Sequence, residues 1–488
     1  MVEELETFMS NGKENRFATE FNISEDVVKA LDIMGYKAPM AVQEEVIKEI
    51  QAGNDLIVQS KTGSGKTAAF GIPVVDSIDR EENAPQVLVL TPTRELAVQV
   101  CEELADIGKY KKIRCVPIYG KQPIHIQLRQ LKQRVHVIVG TPGRLIDMIR
   151  RKNLDLSAIK YLIIDEADEM LNRGFIDEVE NIIKRVPNDR TTLLFSATIP
   201  DRIELICNAY MKDPKRIEVA SEETPIEEIK QSYMEVADDW KFMRLKEIIE
   251  TRNPYSCMIF CNTRAKVDSL IEKLKIGHYS CAPLHGAMPQ NLRLKSISDF
   301  KEGQVQYLVA TDLAARGIHI DKLDLVINFN VPNEHENYVH RIGRTGRAGE
   351  KGEAITFVNV HDMAQWRVIQ KYIGYQVPKV KAGPITQGLG QSGKSNKPEF
   401  TPRTKVKKHK DITRLRINGG KKKKFRAGDI MGALSNLPSI NSEDIGIIDI
   451  QATCSYIEIH NNKGEQAFKE LSESKIKGKA INVKVMKL

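Results

Sequence analysis

Short, near-continuous runs of Val, Ile and Leu recur along the chain, and between them apolar residues return every three or four positions. The runs "DLIVQS", "QVLVLTPTREL", "RCVPIYG", "VHVIVGTPGR", "YLIIDEADEM" and "TLLFSAT" do not alternate apolar with polar, as strands buried on both faces need not. With amphipathic helices between them, they predict a parallel sheet covered on both sides. Two helical patterns come first, "SEDVVKALDIMGY" and "AVQEEVIKEIQAG", with Ser24 as N-cap ahead of Glu25 and Asp26. The pattern breaks from Arg216 to Thr224. A second series of the same kind follows, made of "SCMIFCNTR", "CAPLHGAMPQ", "YLVATDLAARG", "LDLVINFN" and "EAITFVNV". Residues 381–403, rich in Gly, Pro, Ser and Lys, read as a flexible linker. After it the order changes to strand, helix, two strands, helix, strand. The expected units are a disordered lead at 1–15, α/β domains at 16–215 and 225–380, the linker, and a small α+β domain at 404–488.

A chain of 488 residues is too long for one core, which agrees with several domains. Its 41% apolar and 28% charged residues are those of globular protein, and no run approaches the ~20 apolar residues of a membrane span. The acidic start "MVEELETFMSNGKENRF" has no apolar h-region and is not expected to be a secretory signal. Seven cysteines without a C-x-x-C pair argue against a disulfide framework, and Cys257 and Cys261 in "CMIFC" read as core residues rather than metal ligands. A cytoplasmic location is the expectation. Charge is uneven: residues 401–488 carry 19 Lys/Arg against 9 Asp/Glu, a net of +10 in a chain whose total is +8. A near-neutral body with a basic tail suits a polyanionic partner held chiefly by the tail.

Polar chemistry gathers where the apolar runs end, and ligands of open α/β sheets bind at the carboxyl ends of their strands. Ser60-Lys-Thr-Gly-Ser-Gly-Lys-Thr67 lies between a strand and a helix, the setting of a phosphate loop. Thr62, Gly63, Ser64 and Gly65 would wrap backbone N–H groups around phosphate, Lys66 would reach the β/γ oxygens of ATP, and Thr67 would ligate Mg2+. The strict pattern asks for Gly at position 60. In "YLIIDEAD", Asp165 emerges at the strand end as a metal carboxylate and Glu166 stands ready to orient or deprotonate water; dipole-favoured capping is the plain alternative. Gln43 has an amide that suits both edge groups of adenine. In "YVHRIGRTGRAG", Arg341, Arg344 and Arg347 recur every three residues, like arginine fingers offered to a neighbouring ATPase domain. The tail has the order of an RNA-recognition sandwich. Its first strand shows Arg416 and its third Cys454, Tyr456 and Ile459, with only Tyr456 aromatic, so phosphate contacts by Lys421, Lys422, Lys423, Lys424 and Arg426 should outweigh base stacking.

"GYKAPMAVQ", "SKTGSGKT", "PTREL", "TPGR", "DEAD", "SAT", "ATDLAARG" and "HRIGRTGR", in this order across residues 17–375, resemble the DEAD-box RNA helicases. The tail from "TRLRINGGKKKKFRAGDI" onward looks like the RNA-binding domain of the DbpA/YxiN-like subfamily, which acts on 23S ribosomal RNA during large-subunit assembly. The resemblance implies two tandem RecA-like parallel-sheet domains plus a C-terminal α+β RNA-recognition domain. It implies adenine recognition by Gln43 with Phe17 or Phe21, catalysis by Lys66, Asp165, Glu166, Arg344 and Arg347, and ATP with Mg2+ as cofactors. Ser196, Thr198, Asp312 and Arg341 would couple hydrolysis to strand separation. Arg94, Thr141, Gly143, Arg144, Gln290, Arg293 and Thr311 would line the RNA groove.

Four positions depart from the family pattern: Met40 for Thr/Ser, Lys121 for a second Gly, and His319 and Asn330 for Asp. Met40 removes a hydrogen bond beside adenine, and His319 and Asn330 put ribose contact in question. The function expected is local, ATP-dependent unwinding of structured RNA, with 23S ribosomal RNA in large-subunit precursors as partner to a monomeric protein. A general cold-shock or RNA-decay helicase and an ATP-gated RNA clamp are the alternatives.

Overall fold

Leu56 and Val58 pack into one apolar cluster of the first domain and Ile57 into another, and Val87 and Val89 part from Leu88 and Leu90 in the same way. Neighbouring side chains of a strand point to opposite faces, so a run that is apolar throughout feeds two cores. The strands are β1 Leu56–Gln59, β2 Val87–Leu90, β3 Cys115–Ile118, β4 Val137–Gly140, β5 Tyr161–Asp165, β6 Thr191–Ser196 and β7 Lys215–Glu218. In the computed structural model they form one parallel sheet in the order β3-β4-β2-β5-β6-β1-β7. The structure describes residues 15–60, 65–218, 229–315, 318, 320, 323–346, 352–380 and 411–486. The expected linker at 381–403, all of the expected lead but Asn15, and Thr62, Gly63, Ser64, His319 and Arg347 lie outside them.

The second domain repeats the design with β8 Lys230–Glu235, β9 Cys257–Phe260, β10 Cys281–Leu284, β11 Tyr307–Ala310, β12 Leu325–Asn328 and β13 Glu353–Val358. These run parallel in the order β10-β11-β9-β12-β13-β8. Met258 and Phe260 serve one core, and Cys257, Ile259 and Cys261 the other. Burial raises the Cys261 thiol to about 12 and Cys257 well above its ordinary value, so both remain neutral packing groups.

The tail contains β14 Thr413–Ile417, β15 Ile445–Ile450, β16 Ser455–Ile459, the hairpin β17 Lys475–Ile476 and β18 Lys479–Ala480, and β19 Val483–Met486. Its main sheet is antiparallel, in the order β15-β16-β14-β19. Helices Ala427–Ser435 and Gly464–Glu473 contribute Ile430, Leu434, Ala467 and Leu471 to a core shared with Leu415, Ile417, Ile457 and Ile459.

Four expectations change. The break expected at Arg216 is strand β7, paired with β1; only Ile217 of its four residues is buried, so an edge strand left no apolar pattern. Asn15, expected in a disordered lead, caps helix Arg16–Phe21 through its side chain and also donates to Asp32 and the Tyr36 carbonyl. Ser24 occupies the N-cap position, but its hydroxyl donates to Asp76 rather than capping the helix. Ile459, expected among the sheet's outward residues, faces the tail's core.

Candidate nucleotide and RNA sites

Strand β6 lies between β1 and β5, so the polar groups following these three strands share one end of the sheet. Gly65 takes a left-handed backbone (φ 74°) at the start of helix Lys66–Ser77, where a Cβ would collide with Met40 Cε and Gln43 Nε2. Lys66 is buried, and its Nζ donates to the Ser60 carbonyl at 3.0 Å. Ser60 in turn donates its N–H to the Ser196 carbonyl at 2.9 Å. Both interactions use backbone atoms of residue 60, so Ser in place of Gly keeps them.

Gln43 is buried, its Oε1 accepting from the Met40 N–H at 2.9 Å and its Nε2 donating to the Gly65 carbonyl at 3.3 Å. The amide thereby ties helix Ala41–Gln51 to the phosphate loop. Phe17 and Phe21, expected beside adenine, are 0% and 3% exposed with ring centroids 6.5 Å apart. Helix Arg16–Phe21 packs both against the first domain's core, as Gln43 is also packed.

Asp165 ends β5 opposite Phe195 of β6 and is 1% exposed. Glu166 follows with a left-handed backbone (φ 53°). Mg2+ prefers hard oxygen ligands and completes its shell with water and substrate phosphates. Thr67 offers one hydroxyl and Asp165 one carboxylate, a set that suits Mg2+ arriving with a nucleotide. No cluster of three or more His, Cys, Asp or Glu among the described residues forms a metal cage by itself.

Ser196 Oγ accepts the Asp168 N–H at 3.1 Å and donates to the Thr198 carbonyl at 2.6 Å, while Asp168 accepts from Thr198. The sequence pattern singles out Ser196 and Thr198 but not Asp168, their partner in the acidic motif. Its signal is present in "DEAD", where the fourth residue had no assigned task.

The ends of β2, β3 and β4, three neighbouring strands, carry a second group. Arg94 opens the helix after β2, with its guanidinium 3.8 Å from where a Cβ on Gly120 would lie. Thr141 occupies the N-cap position of the helix after β4, Gly143 is exposed, and Arg144 donates to the Gln122 carbonyl at 3.1 Å. Two arginines therefore bracket the turn after β3, in which exposed Lys121 has φ 59°. That conformation suits the glycine of the family pattern and explains the preference Lys121 departs from.

In the second domain, Gln290 opens helix Gln290–Lys301, Arg293 lies one turn along, and Thr311 follows β11. Arg341 is 1% exposed and pairs bidentately with Asp312, with Nη2 to Oδ2 at 2.7 Å. Its other donors reach Asn262 Oδ1, Asn328 Oδ1 and the Asn330 carbonyl, and its guanidinium lies 5.1 Å from the Phe260 ring centroid. This buried hub corrects the finger reading of Arg341: its N–H groups are consumed inside its own domain. Asn330 is buried as well. Arg344, 7% exposed, donates to the Ile318 carbonyl at 2.7 Å.

In the tail, Lys421–Lys423 form a 3-10 turn, Lys424 is left-handed at φ 62°, and Arg426 at the N-cap position of the next helix donates its backbone N–H to Asp429 at 2.7 Å. The four lysines and Arg426 are exposed, whereas Phe425 between them is buried and anchors the turn in the core.

Residues 40–206 match the DEAD/DEAH box helicase family, 240–349 the helicase conserved C-terminal domain and 414–485 the DbpA RNA binding domain. ATP-dependent RNA helicase DbpA of Bacillus subtilis (strain 168) is 45% identical over 473 residues, covering 95% of this chain and 98% of its own. The chain belongs to the DEAD-box ATP-dependent RNA helicases. CshA of Geobacillus kaustophilus (strain HTA426), a DEAD-box ATP-dependent RNA helicase, is 44% identical over 370 residues, 76% of this chain and 79% of its own. Among solved structures, S. cerevisiae Dbp5 bound to RNA and ADP BeF3 is 32% identical with a TM-score of 0.64, covering 75% of this chain and 95% of its own. The DEAD-box helicase Mss116 bound to ssRNA and UDP-BeF is 28% identical with a TM-score of 0.66, covering 77% and 81%. In this helicase no described helix is long and apolar enough to cross a membrane.

Proposed function

We propose that this DbpA-type helicase opens short duplexes in 23S ribosomal RNA during large-subunit assembly, as a cytoplasmic monomer. Lys66 and the loop Thr62–Gly65 hold the ATP phosphates, Thr67 and Asp165 hold Mg2+, and Gln43 reads adenine. Bound ATP supplies the phosphoanhydride that hydrolysis breaks, and Glu166 orients the attacking water. Arg344 and Arg347 meet the γ-phosphate, Arg344 having N–H donors beyond the one it gives the Ile318 carbonyl. Arg94, Thr141, Gly143, Arg144, Gln290, Arg293 and Thr311 contact the RNA strand, largely through its phosphates. Ser196, Thr198 and Asp312 couple the two activities, with Asp168 added to them and Arg341 holding Asp312 in place.

The observation carrying the choice of RNA is the tail: a DbpA RNA binding domain matched over residues 414–485, with five exposed cations on one turn. RNA affinity resting on these cations should fall steeply with salt, each lost phosphate contact lowering the log–log slope by about one unit or less. The test is the RNA concentration giving half-maximal ATPase, for the full chain and for a chain lacking 401–488, on 23S and unrelated RNA. The full chain should need less 23S RNA, and the truncated chain should lose that preference. Equal preference in both would leave a general helicase. ATP hydrolysis without duplex opening would leave a clamp.

A further inference from the structure

On the tail's sheet, Leu415, Ile417, Ile457 and Ile459 point to the helices, so Arg414, Arg416, Tyr456 and Glu458 point the other way. RNA-recognition sandwiches stack bases on this outer face. Here Tyr456 lies under the Arg414 guanidinium, 4.7 Å from ring centroid to Cζ. The β15–β16 side is covered by the first domain: Lys109 Nζ lies 2.9 Å from Glu458 Oε1, and Arg114 Nη2 lies 3.3 Å from Asp449 Oδ1. All four of these side chains are less than a fifth exposed. Gln133 Nε2 adds a bond to Asp449 at 2.6 Å. At the start of β14, Tyr110 donates to Asp411 at 2.6 Å, meets the His460 ring edge-on at 5.5 Å, and joins Ala30 and Ile412 in a small apolar cluster. Lys29 reaches both Asp411 and Asn461.

The charges are sorted. In every one of these ion pairs the first domain supplies the cation and the tail the anion, although the tail as a whole is strongly basic. We infer that the outer sheet face of the tail is a docking surface for the first domain, and that the tail takes RNA on its Lys421–Arg426 turn while docked. The inference rests on the tail being the RNA anchor. It gives the sparse aromatics a physical reason: a face paired with lysine and arginine needs carboxylates where a stacking platform needs rings. The lysine turn meets the sheet at the end away from Asp411 and His460, where Lys421 and Lys422 donate their backbone N–H groups to the Gln451 and Ala452 carbonyls, two and three residues beyond the docked Asp449. Lys109–Arg114 leads into β3 and Gln133 lies just ahead of β4, so the tail sits at the amino ends of these strands. The carboxyl ends, with Arg94, Thr141 and Arg144, lie a strand length or about 13 Å from these contacts.

Carbodiimide joins an amine to a carboxylate only when they touch, so it reads this contact directly in the full chain. A Lys109–Glu458 cross-link should form within single chains, beside the Lys463–Asp444 pair at 2.7 Å inside the tail as reference. Lys109→Glu should abolish it, and Lys109→Glu with Glu458→Lys should restore it with the partners exchanged. A 23S ribosomal RNA transcript should leave its yield unchanged while raising ATPase. The inference is overturned if the reference link forms and the Lys109–Glu458 link does not, or if the link appears only between chains. Loss of the link in step with RNA binding would overturn it too, by making the sheet the RNA platform. If the transcript binds no better than unrelated RNA while the link persists, the anchor reading fails and the docking stands.

Discussion

Asp168 Oδ2 accepts both the backbone N–H of Thr198, at 3.0 Å, and its hydroxyl, at 3.1 Å. One carboxylate thus fastens the segment beginning at Asp165–Glu166 to the turn after β6. A change at the nucleotide end of β5 has this contact as a route to the Ser196–Thr198 turn. Asp168→Ala should leave ATP turnover nearly intact while lowering the duplexes opened per ATP. Hydrogen bonds to a charged group are worth about 1.5–3 kcal/mol, enough for a roughly tenfold loss of coupling. An unchanged ratio of unwinding to hydrolysis would make the contact structural only.

Lys66→Ala should remove ATP turnover and spare RNA binding by the tail. Lys66 is the cation that opens helix Lys66–Ser77 behind the phosphate loop, and its present acceptor is a backbone carbonyl it can leave. Steady-state ATPase and RNA titrations check both halves. Turnover within about tenfold of the parent, a barrier change below about 1.4 kcal/mol, would contradict the phosphate-loop assignment.

For Glu166→Gln, nucleotide binding should persist while hydrolysis stalls, leaving a long-lived complex on RNA. The amide keeps the side chain's size and removes the charge that orients or deprotonates water. RNA dissociation rates in the presence of ATP provide the measurement; unwinding at the parent rate would move that task to another residue.

Arg341→Ala should act on folding first. It leaves Asp312 and the Asn330 carbonyl without their guanidinium donors inside the second domain. Breaking a buried ion pair from one side costs about 3–5 kcal/mol. The thermal midpoint of the second domain should drop clearly, and Arg341→Lys should rescue only part, since an ammonium cannot reach the same five acceptor atoms. A variant with parental stability and no activity would return Arg341 to a catalytic role.

Burial holds the His460 imidazole down at about 4, with Glu458 and Asp411 pulling it up and Lys112 and Lys109 pushing it down. Tyr110 faces the same ring. A folded value below the ordinary 6.5 means the unfolded or undocked chain takes up the proton first. The stability from a neutral His460 is therefore fully present above about pH 6.5 and is lost as pH falls toward 4, at about 1.4 kcal/mol per unit. Unfolding midpoints across this range should fall for the parent and fall less for His460→Gln. Parallel curves would remove His460 from the acid response.

Both parallel sheets were legible because buried strands announce themselves: "YLIID" and "TLLFS" are β5 and β6 almost to the residue. The phosphate loop and the acidic motif were legible for a related reason, since polar residues directly after such a run must lie at a strand end. Arg341 was misread because spacing along a helix says nothing of which face is buried. Strand β7 has a single buried residue, too little to pattern. Ile459 follows from the alternation that places Ile457 inward, a rule that outweighs its position in the motif. Pairs such as Lys109 with Glu458 are separated by 349 residues, and no local pattern records them.

Glu166 carries a side chain in a backbone conformation that costs most L-residues roughly 1–2 kcal/mol. Heat tolerance and turnover therefore pull this position in opposite directions. A library selected only for survival on warming should drift at residue 166 toward Gly or Asn, accumulating chains that melt later and no longer work. The chain that selection for function preserves is not the most durable one its fold allows.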